Sequence, residues 1–128
     1  MDQLVCLGGK EGNALLIDFR SLAVEYIPVT ALQNASIVVA NSNVKHEHAF
    51  GEYAERKKAC DQVSSLLGKT SLRDISMREL ESSKSVLPDD LYTIARHVIT
   101  ENERTLNACD ALKRSDLTVF GTLMTQVR

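Results

Sequence analysis

The sequence predicts an α+β fold in which three amino-terminal strands of an antiparallel sheet precede about four α-helices. Two observations support this assignment. Before residue 45 the apolar residues alternate with polar ones or form short β-branched runs, which is typical of strands. After residue 50 they recur with a helical period. Because strands and helices occupy separate parts of the chain, an α+β arrangement is favoured over alternating β-α-β units.

The strand region covers residues 1–45. Its predicted strands are Ala14–Asp18, Ser21–Val29 and Ser36–Ala40. Pro28 indicates the end or the edge of the second strand, because proline cannot donate to a strand ladder. The third segment is a β-branched apolar run, so we expect a strand that is buried on both faces. Leu4–Leu7 is predicted to be a short helix or the end of one.

The helical region covers residues 46–128, and its first helix is predicted to begin near Phe50 and to end before Gly68, a suitable glycine after a helix. Ser76–Glu79 reads as a capping box, in which hydroxyl and carboxylate satisfy free amides reciprocally. Pro88 begins a helix of about 25 residues. Ser115 is predicted to cap a last helix.

Each helix is predicted to turn one apolar stripe towards the core. The stripes comprise Tyr53, Cys60, Val63 and Leu67; then Leu91, Ile94, Ala95, Val98, Ile99, Leu106, Cys109 and Leu112; and finally Leu117, Phe120, Met124 and Val127. Cys6, Cys60 and Cys109 are odd in number and widely spaced, so they form neither a disulfide framework nor a zinc motif. We expect all three to be buried free thiols.

Composition limits the kind of protein. The chain has 128 residues, 44% apolar and 25% charged, and a net charge of −2, which predicts one globular module over residues 1–128. That charge gives no reason to expect a nucleic-acid partner. No apolar run approaches the roughly 20 residues of a membrane span, so no membrane partner is expected. Because no signal peptide is visible, we expect a cytoplasmic location.

Local motifs leave the function open. Lys45–His48, with Glu52 nearby, could hold a metal ion, but a solvated loop is the favoured interpretation. Gly8–Lys10 lacks the spacing of a phosphate-binding loop and is followed by Glu11, so a turn is favoured. Arg56–Lys58 is interleaved with carboxylates and is interpreted as a solvated helix face.

Longer stretches carry more information together. Met1-Asp2-Gln3, "ALLIDFRSL" (14–22), "NSNVKH" (41–46), "GEYAERKKAC" (51–60), "ARHVITENERTLNACDAL" (95–112) and "FGTLM" (120–124) resemble galactokinases of the GHMP small-molecule kinase superfamily. The resemblance extends over essentially the whole chain. In galactokinases the stretch that corresponds to Met1-Asp2-Gln3 is internal, so the chain is interpreted as a central segment of the family's sequence, lacking both ends.

The resemblance implies a function and one site residue. Galactokinases transfer the γ-phosphate of ATP, with Mg²⁺, to the C1 hydroxyl of D-galactose. Asp2 matches the family's active-site aspartate, the proposed acceptor of the hydroxyl proton and a contact of the sugar. The family's sugar signature and nucleotide-binding loops have no counterpart here, so we expect no cofactor bound to this segment and no metal ligand in it.

Two interpretations therefore stand. The first is a galactokinase segment that is catalytically incompetent alone. The alternative is a non-catalytic module that folds and self-associates through unpaired strand edges, giving a homo-oligomer, since exposed edges favour pairing with another chain.

Overall fold

The structure is a computed structural model that describes residues 2–36, 38–41, 43 and 49–126, without the side chains of residues 34 and 49–52. The α-helices are α1 (Asp2–Gly8), α2 (Ala49–Leu66), α3 (Met77–Ser82), α4 (Asp89–Lys113) and α5 (Leu117–Thr125). The strands are β1 (Asn13–Asp18) and β2 (Ala23–Pro28), and 3-10 turns cover Thr30–Asn34, Leu72–Asp74 and Lys84–Val86. The predicted α+β class is confirmed, with two strands and five α-helices in the described residues.

Strands β1 and β2 form an antiparallel hairpin, in register from Asn13 opposite Pro28 to Asp18 opposite Ala23. Asp18 organises the connection, because its Oδ1 accepts the amide of Arg20 at 2.8 Å. Pro28 is the last residue of β2, as the sequence predicted. The short helix expected at Leu4–Leu7 is confirmed as part of α1.

The third predicted strand is wrong. Residues 36 and 38–40 belong to no regular element, and Val38 and Val39 are 85% and 89% exposed. β-branched residues favour extended backbone, but a buried strand also needs neighbours that satisfy its amides and carbonyls. The sheet of the described residues contains only β1 and β2, so this segment gains no such neighbour.

The described chain divides into two compact units. Unit 1 consists of Met1–Val39 and Arg104–Arg128, and unit 2 of Ala40–Glu103. Helix α4 contributes residues to both. The predicted organisation, one module over residues 1–128 with a strand region up to residue 45 and a helical region after it, stays a prediction. Among the described residues no helix is long and apolar enough to span a membrane.

Unit 2 has a continuous apolar core, which α2, α3, the first half of α4 and the segments between them supply. The buried side chains are Val63, Leu72, Ile75, Leu80, Leu87, Ala95 and Ile99. Gly68 ends α2 at a φ of 66°, and the amide of Lys69 reaches the carbonyl of Ser64 at 2.8 Å, as expected for a glycine after a helix. The capping box of Ser76 and Glu79 is confirmed.

Unit 1 buries Ile27 of β2 and Ala111 and Leu112 of α4. An ion pair between Lys113 Nζ and Glu25 Oε1, 2.6 Å apart, joins α4 to β2. Hydrogen bonding to the Glu25 carboxylate raises the pKa of Lys113 above its ordinary value.

Several predicted core positions are exposed. Tyr53, Leu106 and Met124 lie at 73%, 56% and 61% exposure, so their assignment to the core is wrong. Helical periodicity identifies the apolar face of a helix, but it does not tell over what length another element covers that face. Val127, the last residue of the predicted stripes, lies outside the described residues.

The predicted cap at Ser115 is also wrong, since Asp116 caps α5 by accepting the amide of Val119 at 3.0 Å. Helix α4 ends in a Schellman motif, in which the Asp116 amide reaches the Ala111 carbonyl at 2.9 Å. That motif places Ser115 in the left-handed region, at a φ of 58°, one position before the cap.

The cysteines are free, as predicted, but they are less buried than expected. Cys6 is exposed, because α1 buries no residue, while Cys60 and Cys109 are half-buried. Partial burial raises the pKa of the Cys60 thiol, and the Asp61 charge adds to this.

Candidate active site on the first helix

Asp2, the one residue that the family resemblance assigned to catalysis, is the first residue of α1 and is exposed. A carboxylate in the first turn is favourable for a helix, because it faces the positive end of the helix dipole. An exposed carboxylate can also reach a bound substrate. The structure thus places Asp2 on a defined element.

Helix α1 is held against the hairpin by a polar contact at its carboxyl end. The hydroxyl of Tyr26 on β2 donates to the carbonyl oxygen of Gly8 at 2.9 Å. The ammonium of Lys10 lies 4.2 Å from the centroid of the Tyr26 ring. The amide of Gly9 donates to the carbonyl of Val5 at 2.9 Å and closes the helix end.

Glycine is required at position 9. A Cβ there would lie 2.9 Å from the carbonyl oxygen of Val5, closer than real Cβ contacts allow. The chain therefore leaves α1 in a tight turn, and the amide of Asn13 donates to the carbonyl of Lys10 at 3.1 Å. The turn predicted after Gly8 is confirmed, and it places the Lys10 ammonium over the Tyr26 ring.

A groove of about 570 Å³ lies between α1 and the hairpin. It is lined by Gln3, Leu4, Leu7, Gly8, Leu15, Phe19, Val24 and Tyr26. Most of these side chains are apolar, and Leu7 and Phe19 are 91% and 57% exposed. The apolar face of α1 thus rests only partly on the hairpin.

The other local motifs that the structure describes do not add a catalytic group. The metal alternative at Lys45–His48 lies outside the described residues, and the described part of the chain contains no cluster of three or more His, Cys, Asp or Glu suited to a metal ion. Lys57 Nζ lies 3.5 Å from Asp61 Oδ2, and both side chains are exposed. The solvated helix face with i,i+4 pairs that was predicted for Arg56–Lys58 is therefore confirmed.

Sequence reasoning missed Tyr26 as part of this region. It occurs in an alternating strand pattern, where a tyrosine is an ordinary β-former. Its hydroxyl contact reaches a residue 18 positions away in sequence. No local signal indicates such a pairing, because it depends on how the turn at 9–12 folds α1 back onto β2.

Curated relatives match nearly the whole chain. Galactokinases from Bos taurus and Homo sapiens are each 41% identical over 126 residues, which is 98% of this chain and 32% of each relative. A galactokinase from Chloroflexus aurantiacus is 43% identical over 129 residues, 97% of this chain and 33% of the relative. No protein-family model matches the sequence.

The resemblance to galactokinases is confirmed. The galactokinase-like chain spans about a third of the length of the curated relatives it matches. The roughly 40% identity extends from the region of α1 through the helices, so the hairpin, α1 and both units fall within the galactokinase-like segment.

Proposed function

We propose that this chain is a segment of a galactokinase, the enzyme that phosphorylates D-galactose at its C1 hydroxyl with ATP. Asp2 accepts the hydroxyl proton as the C1 oxygen forms a bond to the γ-phosphorus and the bond from that phosphorus to the bridging oxygen of ADP breaks. Identity of about 40% over 126 residues to galactokinases carries this proposal.

The position of Asp2 supports this role. Its carboxylate is exposed at the start of α1, on a helix that a hydrogen bond fixes to the hairpin. A general base must reach the proton that it accepts, and phosphoryl transfer depends chiefly on positioning and electrostatic stabilisation. Asp2 provides the proton acceptor in this scheme, while ATP provides the phosphoryl group.

The segment supplies little else for the reaction. The described residues contain no group of three or more His, Cys, Asp or Glu suited to a metal ion, and none of them is assigned to Mg²⁺. About two thirds of the length of the relatives has no counterpart in these 128 residues. Correct positioning is worth roughly 7–11 kcal/mol of a reaction barrier. We therefore expect the 128 residues alone to be inactive. Binding of ATP and galactose should require the parts of a galactokinase that have no counterpart here.

A hybrid enzyme tests the proposal. The 126 matched residues of the Bos taurus galactokinase are replaced by this chain, and galactose-dependent ADP release is measured. We expect activity in the hybrid, and its loss by at least about a hundredfold in Asp2→Asn, because general-base catalysis contributes about 10²–10⁴-fold.

The matched control is Asp89→Asn. Asp89 also lies in the first turn of a helix, α4, and is exposed. Full activity of the Asp89→Asn hybrid, together with the loss of activity in Asp2→Asn, supports the assignment of Asp2 as the proton acceptor. An inactive but folded hybrid, or an Asp2→Asn hybrid that retains full activity, overturns it.

Exposed apolar surface favours a second candidate, a non-catalytic module that self-associates through its strand edges. The hairpin is the whole sheet of the described residues, and Leu22 and Phe19 at its turn are 69% and 57% exposed. A strand edge with unpaired amides and carbonyls favours pairing with another copy. Light scattering of the 128-residue chain should then show a dimer or larger species.

Charge on the hairpin should weaken that association. Val24→Lys places a lysine on β2, and Val86→Lys is the control in a 3-10 turn of unit 2. We expect dissociation only in the Val24 variant. A monomeric parent chain at high micromolar concentration contradicts this candidate.

A further inference from the structure

We propose that Tyr26 is a positioning residue for Asp2, because its hydroxyl fixes the direction of α1 relative to the hairpin. This proposal rests on the function proposed above, because the direction of α1 affects catalysis only if Asp2 is the proton acceptor. Tyr26 itself touches no reacting atom in this scheme. It acts through the backbone of α1.

Helix α1 cannot hold its direction alone. It has seven residues and buries none of them. Isolated helices shorter than about 12–15 residues are marginal in water, so α1 depends on contacts with the rest of unit 1. Its apolar contacts, Leu4 and Leu7, line an open groove in which Leu7 remains 91% exposed. Apolar packing of this kind attracts the helix without fixing its angle.

The bond from Tyr26 provides the missing direction. At 2.9 Å, its hydroxyl makes a hydrogen bond of ordinary length to the carbonyl oxygen of Gly8, the last residue of α1. The ammonium of Lys10 lies over the ring, 4.2 Å from its centroid, and adds a second contact to the same tyrosine. Hydrogen bonds depend on angle as well as distance, so this contact limits rotation of the helix end.

A small rotation of α1 about Gly8 produces a large displacement of Asp2. Asp2 lies six positions before Gly8, which is about 9 Å along a helix with a rise of 1.5 Å per residue. Tilting the helix by about 10° about Gly8 therefore moves the start of α1 by about 1.5 Å. A misplacement of about 1 Å can lower a rate by about a hundredfold, so the angle of α1 matters for catalysis.

The test uses the hybrid galactokinase with Tyr26→Phe, which keeps the ring and removes only the hydroxyl. We expect kcat to fall about tenfold with little change in the KM for ATP, because the variant displaces the proton acceptor, which is also a contact of the sugar, and leaves nucleotide binding alone. Lys10→Met, which removes the cation over the ring, should lower kcat less. A kcat within about twofold of the parent hybrid in Tyr26→Phe overturns the proposal.

Tyr92→Phe is the matched control. Tyr92 lies in unit 2, and Lys84 Nζ lies 5.2 Å from its ring centroid, so the substitution is the same and a lysine again lies over the ring. We expect its kcat to stay within about twofold of the parent. An equal fall of kcat in both variants would mean that loss of a tyrosine hydroxyl acts through general stability, and it would overturn the positioning role.

Hydrogen exchange separates this proposal from the proposed function. In the 128-residue chain, Tyr26→Phe should raise the exchange rate of the α1 amides, including that of Gly9, while Tyr92→Phe should not. An inactive parent hybrid overturns the proposed function and the positioning role with it. An active hybrid that loses activity with Asp2→Asn, but shows unchanged α1 exchange and kcat in Tyr26→Phe, overturns the positioning role alone.

Discussion

Units 1 and 2 differ in how far their apolar side chains are buried. In unit 2, side chains from consecutive elements between Val63 and Ile99 meet in one buried cluster. In unit 1, apolar side chains of α1, the hairpin and the segment after it stay exposed, among them Leu7, Phe19, Leu22 and Val39. Elements that are close in sequence can complete a core among themselves. These exposed side chains of unit 1 have no such cover in the described residues.

The largest effect that follows from this comparison is a truncation in the core of unit 2. Leu80 is fully buried, so Leu80→Ala should lower the free energy of unfolding by about 2–5 kcal/mol. Leu7→Ala in unit 1 is the matched substitution at 91% exposure, and it should change that free energy by less than about 0.5 kcal/mol. Urea unfolding measures both. Equal losses would mean that α1 packs more tightly than its exposure indicates.

The same contrast decides how much of the fold the sequence predicts. Local rules identified the capping box at Ser76, the glycine end of α2 at Gly68 and the long helix α4, because each depends on residues within a turn of one another. The third predicted strand was wrong, since Val38 and Val39 have the composition of a strand but find no partner strand among the described residues. Pairing is a long-range property that composition does not contain.

The candidate site shows the same limit. Asp2 could be named only through the resemblance of longer stretches to a family, because one aspartate near an amino terminus has no local signature. Tyr26 could not be named at all, since its contact with Gly8 spans 18 positions. Residue types indicate possible chemistry, whereas the turn at residues 9–12 decides which side chains meet.

Glycines with positive φ allow a smaller test in both units. Gly12 (φ 71°) precedes β1 and Gly68 (φ 66°) follows α2, and in neither would a Cβ meet another atom within 4 Å. Alanine at either position should therefore cost only the backbone strain, about 1–2 kcal/mol. Thermal or urea unfolding checks this. A much smaller loss for Gly12→Ala would indicate that the turn before β1 relaxes more readily than the end of α2.

Helix caps should be similar in strength in the two units despite the difference in packing. Ser76→Ala in unit 2 and Asp116→Ala in unit 1 should each lower the free energy of unfolding by about 1 kcal/mol. The Asp116 bond to the Val119 amide is shorter, at 3.0 Å against 3.3 Å for Ser76 and the Glu79 amide, and its acceptor is charged. We expect Asp116→Ala to be the more costly of the two. The reverse order in urea unfolding would show that the reciprocal bond from Glu79 dominates at Ser76.

The smallest predicted effect is a pH dependence of stability that arises from an exposed carboxylate of unit 2. Hydrogen bonds from the Ser76 amide and then from Lys69 lower the pKa of Glu79 from 4.5 to about 2. Because the folded pKa is the lower one, this stabilisation is complete above pH 4.5 and is lost as the pH falls towards 2. The melting temperature of Glu79→Gln should therefore fall less steeply than that of the parent over this range.

Lys69→Met separates the two causes of that shift. The lysine lies 2.9 Å from Glu79 Oε1 on an exposed surface, whereas the Ser76 amide donates to the other carboxylate oxygen at 2.8 Å and is the larger cause. Removing the lysine should leave most of the acid dependence in place. If Lys69→Met instead matches Glu79→Gln, the ion pair rather than the capping box sets the pKa of Glu79, and the acid sensitivity of unit 2 arises from the link between Lys69, after α2, and α3.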